Sequence, residues 1–569
     1  MSIGFLMLWA IVAGGCGGSG GGNDGDSTSK PPPPSGNADS PVVLAGTVFY
    51  ERPPVTAANG LDYGGTLSLP VREAPYEIRS AAGDVLVSGN LGSAGGFSVD
   101  LNGEQTVTLV VMAGLGDPSA PDWRVVDNTN GKALYTMRAP ITLGSTDRTV
   151  SVTAGTGWNG SDAYISDAAR VAAPFAILDT FYDARQLIRS ADPQVSFPPL
   201  TVNWSPANEP VWGDKSTGQI GTSHYSPAEQ QIYILGQADV DTDEFDASVI
   251  AHEWMHYYEA GVSRSDSIGG EHGAGHILDP TVAFGEGLAN AFSGMVLGEP
   301  HYRDALHVAQ GTTYIDIDLE ADGIDDDWTG EHGWLYDGFW SEWSVLEVLW
   351  DCYDGGPGAV SDSDGDPVAL GFAPLHAVLT GSQKTTAPFT SIYTFLDALR
   401  AAHPGTADGI VALMAGENML VDSAADFDAW QQTGASGKPY ELYVTVATGT
   451  TRSTDMDGEP LANDTGFGDY NGLYARMFMR SQPVAQSGTY RLSVTPTDSG
   501  RSMFLMRPGD AYHQRELFTS NSPLVLDDIT LAAGERFVWA VGDSEGSEFT
   551  AHFELVQADA KPTAPAANN

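Results

Sequence analysis

The stretch His252-Glu253-Trp254-Met255-His256 is the part of the chain from which its fold can be inferred. Two histidines four residues apart lie on one face of a helix, about one turn apart, so both imidazoles can reach the same metal ion. Glu253 follows the first histidine, and a carboxylate in this position can take a proton from a water at the metal. The five residues therefore predict a metal site on a helix, with a general base beside it.

The surrounding residues predict where this helix begins and ends. Asp246 is a suitable N-cap, and the run 249–251 together with Met255 supplies a buried apolar stripe. Gly261 stands where a helix end favours a residue that can adopt positive φ. The alternative interpretation is a buried helix whose histidines are only hydrogen-bonded.

Two histidines do not complete a catalytic zinc site, which normally has three protein ligands and leaves the fourth position to water. A histidine-extended motif would need a glycine three and a histidine six residues after His256, where the chain has Glu259 and Val262. The other arrangement places a glutamate on a following helix. Glu286 is the natural candidate, because flanking glycines and the small and apolar residues after it allow close packing on the first helix.

Two short motifs carry a resemblance to a known group of enzymes. His252-Glu253-x-x-His256 followed by Phe284-Gly285-Glu286-Gly287-x-Ala289 resembles the motifs of the gluzincin metallopeptidases, which include thermolysin-like and fungalysin-like enzymes. The resemblance implies an α+β zincin-like catalytic domain over residues 160–434 and one catalytic zinc ion.

The same resemblance implies a role for each residue of the two motifs. It makes His252, His256 and Glu286 the zinc ligands and Glu253 the general base. In thermolysin-like enzymes the residue four positions after the ligand glutamate orients one zinc histidine. Here that residue is Asn290, whose amide oxygen can accept the imidazole N–H.

Peptide hydrolysis also needs a donor for the negative oxygen that forms on the attacked carbonyl. His332 and Tyr336 are the first candidates for this donor, followed by His224 and Tyr225. None of the four lies in a motif that assigns the role.

A second pair of histidines at the same spacing, His272 and His276, follows the motif helix. The glycines between them argue against a helix. The pair is therefore predicted to lie in a loop rather than to form a rival metal site.

Three short acidic runs alternate oxygen ligands as calcium loops do. Asp318-x-Glu320-x-Asp322-Gly323 is the best of them, although the position of an EF-hand's bidentate glutamate holds Thr329. Asp362-x-Asp364-Gly365-Asp366 and Asp239-x-Asp241-x-Asp243 are shorter. Calcium is therefore a second candidate cofactor, with Asp318, Glu320 and Asp322 as its candidate ligands.

The composition indicates a globular protein with an unusual charge. The chain has 569 residues, which favours about three or four domains, and 42% of them are hydrophobic. It has 74 acidic and 26 basic residues, a net charge of −48. Such a surface repels nucleic acid and anionic membrane, so neither is an expected partner. The resemblance to metallopeptidases implies a protein or peptide substrate instead.

The N-terminal residues indicate export. Residues 1–15 contain an apolar stretch that is too short to span a bilayer and suits a signal-peptide core. Ala13-Gly14-Gly15-Cys16 resembles a bacterial lipobox, which implies lipidation of Cys16 and membrane contact through that lipid alone. Residues 16–41, rich in glycine, serine and proline, predict a flexible linker. The expected location is the bacterial cell envelope; the alternative is a plain secretory signal.

The regions on either side of the central domain predict β-sandwiches, because their apolar residues alternate and turn residues separate the runs. In residues 42–153 the predicted strands are 42–50, 76–79, 85–87, 97–101 and 107–112. The runs Gly46-Thr47-Val48, Pro75-Tyr76-Glu77-Ile78 and Gly95-Gly96-Phe97-Ser98-Val99 resemble carboxypeptidase-regulatory-like domains. Residues 440–557 resemble the β-sandwich appended to secreted bacterial peptidases, and residues 558–569 are predicted to be a disordered tail.

Between these regions the period of the apolar residues becomes helical. Helices are predicted around 175–188, 345–350 and 395–399, and strands at 200–204 and 230–236. A strand just before the metal helix suits a peptidase, because its edge can pair with an extended substrate. The predicted fold class is therefore multidomain, with a zincin-like α+β domain between two all-β sandwich domains.

These inferences favour a zinc-dependent endopeptidase that is exported and lipid-anchored. The alternative is a surface-anchored binding or adhesion protein with a non-catalytic zincin-like domain. The intact Glu253 favours the enzyme, because an idle domain has no chemical need for it. A zinc hydrolase acting on another kind of bond stays open.

Overall fold

The computed structural model describes residues 41–270, 272, 278–306, 310–321, 337–362, 365–420, 431–433, 439–448, 451–455, 476–497, 499–500, 502–510, 515–543 and 550–558. Several predictions fall outside these residues. They concern the signal segment, Cys16, the linker up to residue 40, His276, Asp322, His332, Tyr336 and the tail from residue 559. Among the described residues, no helix has both the length and the apolar content that crossing a bilayer requires.

The first part of the chain is built from strands. They are β1 (Pro41–Arg52), β2 (Val55–Thr56), β3 (Gly60–Leu61), β4 (Leu67–Pro70), β5 (Pro75–Ser80), β6 (Val85–Asn90), β7 (Gly96–Asn102), β8 (Thr106–Met112), β9 (Gly114–Asp117), β10 (Ala120–Asp127), β11 (Ala133–Leu134), β12 (Thr136–Thr142) and β13 (Arg148–Ala154). The five strands predicted in this region are confirmed, because each lies within one of them. One sheet has the order β13-β1-β4 with β7 also on β1, and another the order β12-β8-β5-β6.

The middle of the chain carries the helices. They are α1 (Ala173–Ala191), α2 (Ala247–Gly261), α3 (Pro280–Leu297), α4 (Glu342–Asp351), α5 (Phe372–Val378), α6 (Ile392–Ala402) and α7 (Ala407–Gly416). The strands of this part are β14 (Leu200–Trp204), β15 (His224–Ser226), β16 (Gln231–Ile234), β17 (His301–Leu306), β18 (Thr313–Asp318), β19 (Met419–Leu420), β20 (Gln431–Thr433) and β21 (Pro439–Glu441). The predicted helices and strands of this region are each confirmed within one to a few residues at their ends.

The central sheet is formed by strands from both of the first two predicted domains. Its order is β11-β10-β14-β16-β15, with β9 paired to β10. The segment β9–β11 precedes the predicted boundary at residues 153–160, yet β10 pairs in parallel with β14. One continuous hydrophobic cluster runs through both regions. The sequence boundary therefore does not separate two cores, because strand pairing between distant segments leaves no local sequence signal.

Helix α2, which carries His252 and His256, begins as predicted, but the contacts at its two ends differ from those predicted. Asp246 is its N-cap residue, but the Asp246 side chain accepts a hydrogen bond from Ala305 N of β17 at 3.0 Å instead of capping the helix. Gly261 ends the helix without positive φ, so that part of the prediction is wrong. The glycine is needed for space, because a Cβ there would lie 3.0 Å from Pro198 Cγ.

The helix that carries Glu286 has clear end signals. Asp279 is the N-cap of α3, and its side chain accepts from Thr281 N at 2.9 Å, with Pro280 following it. Gly298 closes the helix with φ of 66°, a left-handed conformation that glycine adopts without steric cost. Nearly all of the helix is buried, so it lies in the core between α2 and α4.

The last part of the chain is again built from strands. They are β22 (Val444–Val446), β23 (Thr451–Asp455), β24 (Met477–Ser481), β25 (Gly488–Pro496), β26 (Ser502–Met506), β27 (Glu516–Thr519), β28 (Leu524–Leu531), β29 (Val538–Asp543) and β30 (Thr550–Gln557). Two sheets, ordered β22-β24-β29-β26-β27 and β23-β30-β25-β28, enclose a separate apolar core. The outer face of the first sheet, with Phe478 and Phe504, belongs to the main core, so this region packs on the central domain.

A buried arginine joins this last region to the start of α3. Arg476 Nε lies 2.6 Å from Asp279 Oδ2, and neither side chain is exposed. Arg476 Nη2 also donates to Thr281 Oγ1 at 2.7 Å and to Asp266 O at 3.0 Å. Because Asp279 caps the Glu286 helix, the arginine fixes the position of that helix from outside the central domain.

Replacing Arg476 by alanine is expected to lower the free energy of unfolding by about 3–5 kcal/mol, because Asp279 would remain buried without its cation. Urea denaturation of the Arg476→Ala variant measures this loss. Arg491→Ala is the matched control. It removes an exposed ion pair with Asp527 and should cost less than about 1 kcal/mol. Equal losses in the two variants would contradict the role given to Arg476.

Candidate metal centre

Helices α2 and α3 bring three metal-type ligands together. His252 Nε2 lies 3.0 Å from Glu286 Oε2, His256 Nε2 lies 3.0 Å from the same oxygen, and the two nitrogens are 3.0 Å apart. The three atoms thus form a nearly equilateral triangle. The structure places together the three ligands that the sequence predicted.

The size of this triangle fits a zinc ion. An ion about 2.0–2.1 Å from each ligand in tetrahedral geometry separates neighbouring ligand atoms by about 3.3 Å. The observed 3.0 Å edges need only a small outward movement of the side chains. Two imidazole nitrogens and a carboxylate oxygen are also the kind of donor set that zinc takes in catalytic sites. The residues present therefore fit a metal ion.

Asn290 fixes the tautomer of the first histidine. Its Oδ1 lies 2.7 Å from His252 Nδ1, and an amide oxygen only accepts, so Nδ1 carries the proton. In the neutral imidazole Nε2 then presents a lone pair towards the triangle. Two acceptors, His252 Nε2 and Glu286 Oε2, face each other at 3.0 Å, an arrangement that a cation between them relieves.

Glu253 lies beside the triangle and is held by the central sheet. Its Oε2 accepts a hydrogen bond from the backbone N–H of Tyr225 at 2.6 Å. Tyr225 lies on β15, the last strand in the order of the central sheet. Strand β16, which the sequence suggested for substrate pairing, lies inside the sheet. The edge strand is β15, which was too short for a pattern to predict.

A cavity of about 720 Å³ opens onto the site. His252, Glu253 and Asn290 line one part of it, and Tyr302 and His272 line other parts. The ligands are largely buried, with His252 and Glu286 only 6% and 7% exposed. A substrate in this cavity would reach His252 of the triangle and the Glu253 carboxylate.

The ligands perturb one another's protonation. Burial lowers the pKa of His256, but the Glu286 carboxylate outweighs it and raises the pKa to about 9. Burial raises the pKa of Glu286, yet His256 and His272 hold it well below its ordinary value. The carboxylate is therefore ionised, as a metal ligand must be.

Two residues that the sequence did not assign to the reaction lie at this cavity. His272 Nδ1 lies 2.9 Å from Glu342 Oε2, while its Nε2 lies 3.4 Å from Glu286 Oε2. The Tyr302 ring centre is 6.2 Å from that of His252. Burial and then the Asp304 and Glu253 carboxylates raise the pKa of Tyr302 well above its ordinary value. Both side chains can therefore act as hydrogen-bond donors.

The reserve candidates for the donor do not point into this cavity. The His224 ring stacks on Tyr233 with centroids 5.1 Å apart, and its Nδ1 lies 2.7 Å from Thr222 O. The Tyr225 ring faces Tyr257, on the side of a separate groove. Tyr225 contributes to the site through its backbone N–H alone.

No family model and no curated protein matches the chain. Among solved structures, it is similar to the pre-peptidase C-terminal domain of a collagenase from Bacillus anthracis, at 12% identity over 20% of this chain and 93% of that one, with a TM-score of 0.14. The Bacillus anthracis TIE protein matches at 16% identity over 20% of this chain and 16% of that one, with a TM-score of 0.12. Aeromonas hydrophila PliG, a periplasmic lysozyme inhibitor of g-type lysozyme, matches at 12% identity over 20% and 95%, with a TM-score of 0.12. Scores this low support no inference about this chain.

Gly287, beside Glu286, allows close packing of α4 on α3, whereas the sequence predicted close packing of α2. A Cβ on Gly287 would lie 2.5 Å from Glu342 O and 2.6 Å from Val345 Cβ, both in α4. A Cβ on Gly285 would make an ordinary contact, 3.5 Å from Glu259 Oε2 of α2. The close approach of α4 to α3 at Gly287 therefore places Glu342 beside His272. It does not contribute to the packing of α3 on α2.

The first acidic run does not bring its described members together, whereas each of the other two runs contributes two aspartates to an acidic group. Asp318 accepts from Glu320 N at 3.2 Å, and among the described residues the two do not belong to a common group of metal-type ligands. Glu320 accepts instead from Trp350 Nε1 at 3.1 Å. Asp354, Asp362 and Asp366 form one acidic group, and Asp241, Asp243 and Asp304 form another.

Glu259, one turn beyond His256 on α2, gives a prediction about pH. Burial, only partly offset by His256, raises the pKa of this 2%-exposed carboxyl from 4.5 to about 7. The folded chain therefore keeps a proton that the unfolded chain loses above about pH 4.5, so stability falls as the pH rises from there to about 7. Glu259→Gln should raise the free energy of unfolding by about 3 kcal/mol near pH 8 and change it little near pH 4.

Urea denaturation of both proteins at several pH values measures this difference. The glutamine has nearly the same shape, so a steric effect would appear equally at every pH. A gain that does not depend on pH, or a loss near pH 8, would contradict the assignment.

Proposed function

We propose that this chain is a zinc-dependent endopeptidase of the gluzincin type, acting on protein or peptide substrates. The observation that carries the proposal is the triangle of His252 Nε2, His256 Nε2 and Glu286 Oε2, with 3.0 Å edges, beside the Glu253 carboxylate. His252 and the Glu253 base line one cavity that is large enough for a stretch of peptide.

Glu253 would serve as the base and then as the acid. Zinc, when bound by the three ligands, would polarise the scissile carbonyl and make a water more acidic. Glu253 would take the proton of the attacking water and deliver it to the leaving amine. The Tyr225 N–H holds the Glu253 carboxylate at 2.6 Å, which limits its reorientation between these two steps.

His272 and Tyr302 would stabilise the negative oxygen of the tetrahedral intermediate. Glu342 holds the His272 ring through Nδ1, which leaves Nε2 turned towards the metal ligands. Both side chains line the cavity and carry a proton to donate. Donors fixed before the reaction are effective because they need no reorganisation as charge develops.

Strand β15 offers a way to hold an extended substrate. It is the outermost strand in the order of the central sheet, and it adjoins the site through Tyr225. An extended peptide that pairs with such an edge would be aligned by main-chain hydrogen bonds, while its side chains occupy pockets. This mode would give broad sequence tolerance with a fixed direction of binding.

We further propose that the enzyme is exported and held at the cell envelope by lipid on Cys16. The support is the apolar stretch and lipobox-like sequence at the N-terminus, together with the charge of −48. No nucleic acid is expected to bind so acidic a chain.

The proposal is tested with Glu253→Gln, assayed for bound zinc and for hydrolysis of casein and of a broad peptide library. The variant should keep one zinc per chain and lose about 10²–10⁴-fold in kcat, because it removes proton transfer and no ligand. Glu259→Gln is the matched control, since it makes the same change on the same helix two turns away from Glu253 and should retain activity.

The outcomes separate the candidate functions. Zinc in wild type and variant, with no hydrolysis by either, would favour a surface-anchored binding protein with an idle site. Hydrolysis of another bond with the same dependence on Glu253 would indicate a different zinc hydrolase. A wild-type chain that binds no zinc would contradict the proposal altogether.

A further inference from the structure

A cluster of aspartates lies on another wall of the same cavity. One carboxylate oxygen from each of Asp241, Asp243 and Asp304 lies within 4.8 Å of the other two. Asp241 and Asp243 precede α2, and Asp304 lies on β17. Asp246, the N-cap residue of α2, lies close enough to raise the pKa of Asp243. Two segments that are distant in sequence, residues 241–246 and strand β17, thus bring their carboxylates to one place.

Asp243, Asp246 and Asp304 each have one inaccessible carboxylate oxygen without a hydrogen-bond partner among the described residues. Asp243 is 4% exposed, and its Oδ2 accepts from Ser223 Oγ, but its Oδ1 has no such partner. Asp246 is fully buried, and its Oδ1 is likewise unpartnered. The Oδ1 of Asp304 is in the same condition. A buried acceptor without a partner costs free energy, so the cluster needs a positive ligand or protons.

Basic side chains do not supply that charge to Asp243, Asp246 or Asp304 within the described part of the chain. The nearby Arg303 pairs with Glu299 and Asp316, and Arg170 pairs with Glu244. Asp243, Asp246 and Asp304 take part in none of the ion pairs between described residues. Burial first, and then the Asp241 carboxylate, raises the pKa of Asp304 to about 7. Without a cation the carboxylates would therefore compete for protons.

We propose that Asp241, Asp243 and Asp304 bind one calcium ion, and that Asp246 adds its charge from the adjacent position. An all-oxygen set of carboxylates selects a hard divalent cation, and calcium accepts the six to eight oxygens that the side chains and cavity water provide. Imidazole and thiolate, which zinc favours, are absent from this group of ligands. The chemistry differs from that of the histidine site across the cavity.

The ion would join the segment before α2 to strand β17. These parts already meet through Asp246 Oδ2 with Ala305 N at 3.0 Å and Ser248 Oγ with Arg303 N at 3.1 Å. Strand β17 also carries Tyr302, whose ring lies against His252. Calcium would therefore fix one wall of the cavity. The site does not depend on whether the chain hydrolyses peptides.

The test is a titration of the zinc-loaded full-length chain with calcium chloride. Calorimetry measures binding and thermal unfolding measures Tm, each for the wild type, Asp304→Asn and Asp362→Asn. Asp362 belongs to the separate acidic group and is the matched control. The wild type should gain about 5 °C in Tm at millimolar calcium. Asp304→Asn should bind one calcium fewer and lose most of that gain, while Asp362→Asn should keep it.

The same variants measured without calcium guard against a folding artefact. Asp304→Asn removes a buried charge, so its Tm in calcium-free buffer should equal or exceed that of the wild type. A wild type that binds no calcium, or binding lost in Asp362→Asn and kept in Asp304→Asn, would overturn the proposal. So would tighter binding of magnesium than of calcium, or a lower Tm of Asp304→Asn without calcium.

Discussion

His252 Nε2, His256 Nε2 and Glu286 Oε2, which come from two helices, lie 3.0 Å from one another in a largely buried site. The packing of the central domain holds these three atoms together. Such atoms repel one another unless a cation or protons lie between them. Each helix is therefore held from outside the triangle. Asp246 ties the start of α2 to β17, and Arg476 ties the start of α3 to the C-terminal sandwich. The third helix, α4, reaches α3 over Gly287 and presents Glu342 to His272.

The chain buries several charged side chains, and their charge is compensated in different ways. Arginine neutralises the carboxylate in the Arg170–Glu244 and Arg476–Asp279 pairs, where no side chain is exposed. Glu259 keeps a proton, because burial raises its pKa. The triangle and the carboxylates of Asp243, Asp246 and Asp304 are the places where we propose that a metal ion supplies the positive charge. His252, Asp243 and Asp304 line one cavity, so the two proposed ions would shape the same space.

Local sequence predicted local structure well. Alternation over two residues located strands such as β1 and β8, and helical periodicity located α1 and α2, because these patterns follow from which face is buried. The sequence predicted that His252, His256 and Glu286 lie together, because their two motifs fix the spacing of these residues on their helices. The Asn290 contact followed from the same motif. These parts needed no information about distant segments.

The parts of the fold and of the site that the sequence did not predict depend on contacts between distant segments. Such contacts leave no local pattern in the sequence. Strand β10 joins the central sheet by pairing with β14. His272 becomes part of the site only because Glu342, seventy residues later, holds its ring. Tyr302 and Asp304 reach the cavity because β17 packs against α2. The role of Gly261 was misjudged because its neighbour, Pro198, lies far away in sequence.

We propose that one zinc ion lies within the triangle of His252, His256 and Glu286. Anomalous diffraction from crystals of the zinc-loaded protein, measured on both sides of the zinc absorption edge, can locate this ion. We expect one strong anomalous peak, about 2.0–2.1 Å from both imidazole Nε2 atoms and from a Glu286 oxygen. No peak at the triangle, or a zinc peak only at other residues, would contradict it.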